Sequence, residues 1–176
     1  MMTYAKPALY ALLSLWIIHA VNVALNYRLN TLGLVPRKIR GIPGVIFSPF
    51  LHGSFSHLFF NSIPFFVLLD FLLMDKGIHS AITISSIIIG ISGVLLWLFG
   101  RKGVHVGASG LIMGYLAYLL VNAYQHPSIK TLLLGVVCLY YFGGLLVGLF
   151  PQKKYVSWEG HVFGFLGGIA AVFFAK

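Results

Sequence analysis

The sequence predicts an all-α membrane protein: a bundle of six transmembrane helices with a folded first loop at the membrane interface. Three observations carry that reading. Of the 176 residues, 59% are apolar and 9% charged, where a soluble domain carries roughly 25% charged residues. Mean hydropathy is +0.94. Six apolar runs, at 7–25, 58–74, 81–99, 109–124, 131–150 and 161–176, approach the roughly 20 helical residues that cross a bilayer core. The length suits one domain, 1–176, better than two. Disorder and soluble nucleic-acid binding are excluded together, because neither tolerates so little charge and so much apolar surface.

The first run, Pro7 to Leu25, is too long for a secretory signal and no small-residue cleavage site follows it, so it is expected to stay as a helix. The connection Arg28 to Ser56 holds Pro36, Gly41, Pro43, Gly44, Pro49 and Gly53 beside Val45, Ile46, Phe47, Phe50 and Leu51. A connection of that length and apolarity is expected to fold on the membrane interface. The second run ends at Asp75-Lys76-Gly77, the third at Gly100-Arg101-Lys102-Gly103, the fourth at Gln125-His126-Pro127 and the fifth at Pro151-Gln152-Lys153-Lys154. Each pairs a turn former with a polar or basic residue. No internal repeat is present, which disfavours a transporter of two related halves.

In a six-helix chain the even-numbered helices start on one side of the membrane. Their first residues carry the groups that fit worst in lipid: His57 and Asn61, then Ser109, then His161. Runs four and six have 16 residues each, about 24 Å against a core about 30 Å thick. Ser109 and His161 are therefore expected at similar depth below the near surface. Non-helical backbone there must be enclosed by protein or line water, and Gly103 to Ala108 is the candidate loop.

Gly164 and Gly168 lie at i+3 and i+7 from His161, on its helix face. The spacings Gly160-x-x-x-Gly164-x-x-x-Gly168 and Gly110-x-x-x-Gly114 let membrane helices approach backbone to backbone. Helices four and six would then bring a serine hydroxyl to an imidazole, the base that activates it near neutral pH. A third, orienting carboxylate is absent. Asp70 is 13 residues past His57, about 20 Å along the helix, Asp75 is deeper, and Glu159 does not share a face with His161. The residues point to a Ser-His dyad. His57 and Asn61, at i and i+4, can donate with the Ser109 backbone N–H to an oxyanion, and can equally form a structural hydrogen-bond cluster.

Together, His52-Gly-Ser-Phe-Ser-His57-Leu-Phe-Phe-Asn61, Gly107-Ala108-Ser109-Gly110 and Gly160-His161-Val-Phe-Gly164-Phe-Leu-Gly167-Gly168 resemble the motifs of the rhomboid family of intramembrane serine proteases, in order and on the expected helices. The resemblance implies a six-helix core, Ser109 as nucleophile, His161 as general base, and an oxyanion hole from His57, Asn61 and the Ser109 amide, with Gly107 shaping the serine loop. It implies no cofactor and no metal. The partners it implies are the bilayer and a transmembrane segment of a substrate protein, entering sideways near Phe60, Pro64, Tyr141 and Phe142. His52 matches a further family histidine of open role. Two departures stand out: the Trp-Arg pair common in the family's first loop is missing, and a tyrosine four residues after the nucleophile is Met113 here, still on the Ser109 face.

Topology divides the two readings. Arg28, Arg37, Lys38, Arg40, Arg101, Lys102, Lys153 and Lys154 lie on the active-site side, against Lys6, Lys76, Lys130 and Lys176 opposite, which alone would put the active site in the cytoplasm. The family opens away from it. Because half of the eight charges sit in the folded loop, the expectation is a multi-pass protein of a prokaryotic plasma membrane whose active site opens to the non-cytoplasmic side.

Other classes fit less well. Zinc proteolysis lacks a His-Glu-x-x-His, and serine-lysine catalysis would have to recruit Lys102. An inactive rhomboid-like binder needs neither Ser109 nor His161, and a channel would not gather its polar residues on one side. The single thiol, Cys138, sits in an apolar run and is expected to be packed and inert. Ser14, His19 and Asn22 are expected to bond between helices, and Asp70 to pair with a lysine.

Overall fold

The computed structural model describes residues 2–151 and 157–175. Lys153, Lys154 and Lys176, used in the charge count, lie outside the described residues. Helix α1 spans Met2–Ala24. The first loop winds through 3-10 turns at Arg28–Leu32, Ile39–Gly41 and Ser48–Phe50 around a short helix α2, Gly44–Phe47. Then come α3 (Phe55–Phe99), α4 (Ser109–Gln125), α5 (Ile129–Phe142) with a 3-10 extension at Gly143–Leu149, and α6 (Trp158–Phe174). Among the described residues there is no strand, only an isolated antiparallel bridge between Leu34 and His105.

At 45 residues, a straight α3 would run about 68 Å, more than twice a hydrocarbon core. It is broken instead at Gly77, whose φ of 76° and ψ of 175° suit glycine. The result is two arms, 55–76 and 78–99. The break expected around Asp75-Lys76-Gly77 shrinks to that glycine because Asp75 and Lys76 stay helical. Asp75 accepts from Asn122 Nδ2 at 2.9 Å and pairs with Lys130 Nζ at 3.0 Å, which ties the bend to the end of α4 and the start of α5. Asp70, expected to find a lysine, has no ion pair among the described residues.

Run five also departs from expectation. Helix α5 ends at Phe142 and tightens into 3-10 turns over a stretch holding Gly143, Gly144 and Gly148, residues of low helix propensity. Helix α6 starts at Trp158, three residues early, with Glu159 in its first turn where an acid favours the helix dipole.

Helix α4 is the hub, buried from Leu111 to Leu119, and α6 is its closest neighbour. A Cβ on Gly164 would sit 2.0 Å from the Gly110 carbonyl oxygen, and one on Gly168 2.0 Å from that of Gly114. The two helices therefore touch main chain to main chain. Helix α1 leans on the first arm of α3 through Trp16 Nε1, which donates to Ser62 Oγ at 3.1 Å. Its other polar groups bond locally: Ser14 to the Ala11 carbonyl, and Asn22 to Asn30 and the Leu29 amide. The expected interhelical bonds from Ser14, His19 and Asn22 do not form; His19 is buried with neither ring nitrogen bonded.

The first loop packs closely on its own backbone. Gly41 and Gly44 press on the Val35 and Leu34 backbone, where a Cβ would come within 2.2 Å. Trp97 Nε1 donates to the Lys38 carbonyl at 3.0 Å, and Arg37 donates from its backbone to Trp97 O at 2.9 Å and from Nη1 to Leu98 O at 2.9 Å. A tryptophan and an arginine from separate elements thus anchor the loop that lacks an internal pair. Outer faces are apolar: Ile17 is 64% exposed and Phe60 75%. Ala5–Ala24, Phe55–Phe99 and Ile129–Leu149 are each long and apolar enough to cross a bilayer, and this is an integral membrane protein.

Candidate active site

The segment between α3 and α4 is held on two sides. Leu34 and His105 exchange backbone hydrogen bonds of 3.0 and 2.8 Å, and the Gly107 N–H donates to the Ser48 carbonyl at 2.9 Å. The first loop thereby encloses backbone that lipid would leave unsatisfied. Gly107 has φ 127°, and a Cβ there would lie 2.5 Å from His57 Cε1. Only glycine permits both the turn and the imidazole stacked on it. Directly after it, Ala108 caps α4 and Ser109 opens the helix.

Ser109, His161, His57, Asn61 and Met113 all line one cleft of about 1160 Å³. Its walls are the first arm of α3 at Phe60 and Pro64, the loop 101–106, and the 3-10 segment at Gly144, Leu145 and Gly148. Met113 is buried, consistent with packing beside the imidazole. Of the four residues expected at a lateral entrance, Phe60 and Pro64 line the cleft, while Tyr141 and Phe142 sit on the adjoining end of α5.

His161 Nδ1 lies 3.0 Å from the Gly148 carbonyl oxygen. A carbonyl only accepts, so Nδ1 carries the proton and Nε2 keeps its lone pair. The contact is close: a Cβ on Gly148 would fall 2.8 Å from His161 Nδ1. Among the described residues, neither the Ser109 hydroxyl nor His161 Nε2 has a hydrogen-bond partner, so both can engage a ligand in the cleft.

Asn61 Nδ2 is 3.2 Å from His52 Nε2, and its second N–H remains for the cleft. His57 makes no side-chain hydrogen bond among the described residues; its ring is 5.1 Å, centroid to centroid, from that of His52. Glu159 is buried and bound to Arg101 Nε. Nearby, His105 Nε2 donates to the Arg101 carbonyl at 2.9 Å and Nδ1 accepts from Ser157 Oγ at 2.7 Å, which latches the loop onto the start of α6. Among the described residues, no carboxylate is hydrogen-bonded to a histidine.

Sequence reasoning missed two parts of this arrangement. Gly148 acts through its backbone, which no residue type announces. The Arg101–Glu159 pair joins residues 58 apart, a separation that no local pattern in the sequence announces.

A sequence profile described as the Rhomboid domain matches residues 40–176. Uncharacterized proteins of Mycobacterium bovis and Mycobacterium tuberculosis are each 36% identical over 168 residues, spanning 90% of this chain and 70% of theirs. One from Mycobacterium leprae is 31% identical over 169 residues, spanning 90% of this chain and 66% of its own.

Proposed function

Because the chain belongs to the rhomboid family, we propose that it is an active intramembrane serine endopeptidase working by a Ser109–His161 dyad. In this reading His161 Nε2 takes the Ser109 proton as Oγ attacks a substrate carbonyl. The oxyanion that forms is met by the Ser109 N–H, Asn61 and His57, and each such donor contributes about 3 to 4 kcal/mol to a barrier of this kind. Collapse breaks the peptide C–N bond, His161 returns the proton to the leaving amine, and an ester remains on Ser109. Water, deprotonated by His161, then hydrolyses the ester and restores both residues. No cofactor enters.

The observation that carries the reading is the convergence of Ser109, His161, His57 and Asn61 on one cleft, with the His161 lone pair freed by the Gly148 carbonyl. An inactive binder would need none of these together.

The proposal extends to architecture. Six spans arise from α1, the two arms of α3, α4, α5 with its 3-10 extension, and α6, forming one membrane domain over 1–176. The cleft opens to the non-cytoplasmic side; the opposing charge count rests half on Arg28, Arg37, Lys38 and Arg40, which belong to the folded first loop. Substrate is a transmembrane segment weakened near the cleavage point, since an intact helix hides its carbonyls, and it enters between Phe60 and Pro64 on one side and Tyr141 and Phe142 on the other. Incubating purified protein in detergent with a single-span substrate, beside Ser109→Ala, tests the reading. Cleavage that survives the substitution overturns it.

A further inference from the structure

His52 belongs to neither partner of the dyad, yet it is completely buried at the point where the first loop, α3 and the serine loop meet. Two donors reach its Nε2: Asn61 Nδ2 at 3.2 Å and the Ala108 backbone N–H at 3.4 Å. A backbone N–H can only donate, so Nε2 is the unprotonated nitrogen and the Asn61 amide must present its NH2 group rather than its oxygen. Nδ1 then carries the proton, facing the Phe50 backbone without closing a hydrogen bond to it. Burial first, then the nearby His57 and His19 imidazoles, push the His52 pKa down to about 3, so the ring is neutral at working pH.

We infer that His52 is a positioning residue of the oxyanion hole, holding the Asn61 amide on α3 and the amide next to Ser109 on one ring nitrogen so that both face the same point. The inference rests on the protease reading above and deepens it. Without His52 the Asn61 side chain is free to rotate, and the Ala108 N–H is left buried and unpaired. His52 itself does not touch substrate. Its effect passes through Asn61, and that route is what distinguishes it from a residue that only fills space.

The test is a double-mutant cycle on cleavage of a transmembrane-segment peptide in detergent, with kcat and KM measured separately. His52→Leu is expected to lower kcat at least tenfold with KM within twofold. In an Asn61→Ala background the same substitution should lower kcat by less than twofold. His52→Gln, whose amide oxygen can accept from both donors, should recover most of the loss. In parallel, nitrogen NMR of 15N-histidine-labelled protein, with His52 assigned from the His52→Gln spectrum, should show an Nδ1–H tautomer without reference to catalysis. Equal losses in both backgrounds, or an Nε2–H tautomer, overturn the inference. If wild-type protein shows no Ser109-dependent cleavage, the protease reading fails instead, and the tautomer still decides for or against the His52 geometry.

Discussion

The Nδ1 atom of His161 donates to the carbonyl oxygen of Gly148 across 3.0 Å. In a serine triad that position is held by a carboxylate, which fixes the imidazole tautomer and supports the imidazolium as it forms. A carbonyl does the first and offers only a dipole for the second. That division fits a chain in which two of the three side-chain carboxylates are committed elsewhere, Glu159 to Arg101 and Asp75 to Lys130 and Asn122, while Asp70 on α3 has neither an ion pair nor a histidine partner among the described residues.

The most direct check is chemical. A fluorophosphonate or isocoumarin probe should label wild-type protein and fail to label Ser109→Ala, read as loss of the adduct mass. Persistent labelling would place the nucleophile elsewhere.

Gly148→Ala keeps the carbonyl but puts a methyl 2.8 Å from His161 Nδ1. We expect kcat to fall by about tenfold or more, about 1.4 kcal/mol in the barrier, with the thermal midpoint little changed. Asp70→Asn, by contrast, should keep kcat within tenfold; a loss near 10⁴ would mean that a carboxylate does serve the histidine.

At Gly107, alanine meets both a φ of 127° and the His57 ring. Gly107→Ala should displace His57 and lower cleavage by about 10²-fold, the scale of a lost oxyanion donor, while folded protein is still recovered in detergent. Wild-type kinetics would remove His57 from the hole.

Seam and surface glycines should behave oppositely. Gly168→Ala drives a methyl into the Gly114 carbonyl and should cost about 3 kcal/mol or prevent folding, the upper range for overpacking. At Gly90 a Cβ meets nothing within 4 Å, so Gly90→Ala should hold or slightly raise stability. Thermal unfolding of the two variants side by side decides.

Asp75→Ala should lower stability by about 3 kcal/mol, the low end for a broken buried pair, because Lys130 is 53% exposed. The bend it secures lies at the far end of the bundle, so kcat should stay within twofold. A large kinetic loss would contradict that separation.

Much of this arrangement was legible in the sequence. Glycines at i and i+4 on two runs announced the α4–α6 contact, because the spacing is a property of helix geometry alone. Ser109 and His161 followed from their places at the starts of those helices, and His57 with Asn61 from sharing one face. What escaped depends on partners far along the chain. Asp75 and Lys76 read as a turn, yet Asn122 and Lys130 keep them helical. Likewise, the tightening after Phe142, and with it the carbonyl that orients His161, comes from three glycines whose low propensity predicts a weak helix but not which carbonyl turns inward. His19 read as a hydrogen-bonding group because buried polar side chains usually are, and neither of its ring nitrogens is bonded.

The glycine seam also bears on how the molecule fails when heated. Side-chain interfaces loosen by degrees, as rotamers multiply before the backbone moves. Between α4 and α6 there is no such layer to soften, so the two main chains are either in register or apart. Spacing between the backbones of Ser109 and His161 should therefore hold until the bundle opens as a unit, and the temperature at which turnover is lost should coincide with cooperative unfolding rather than precede it.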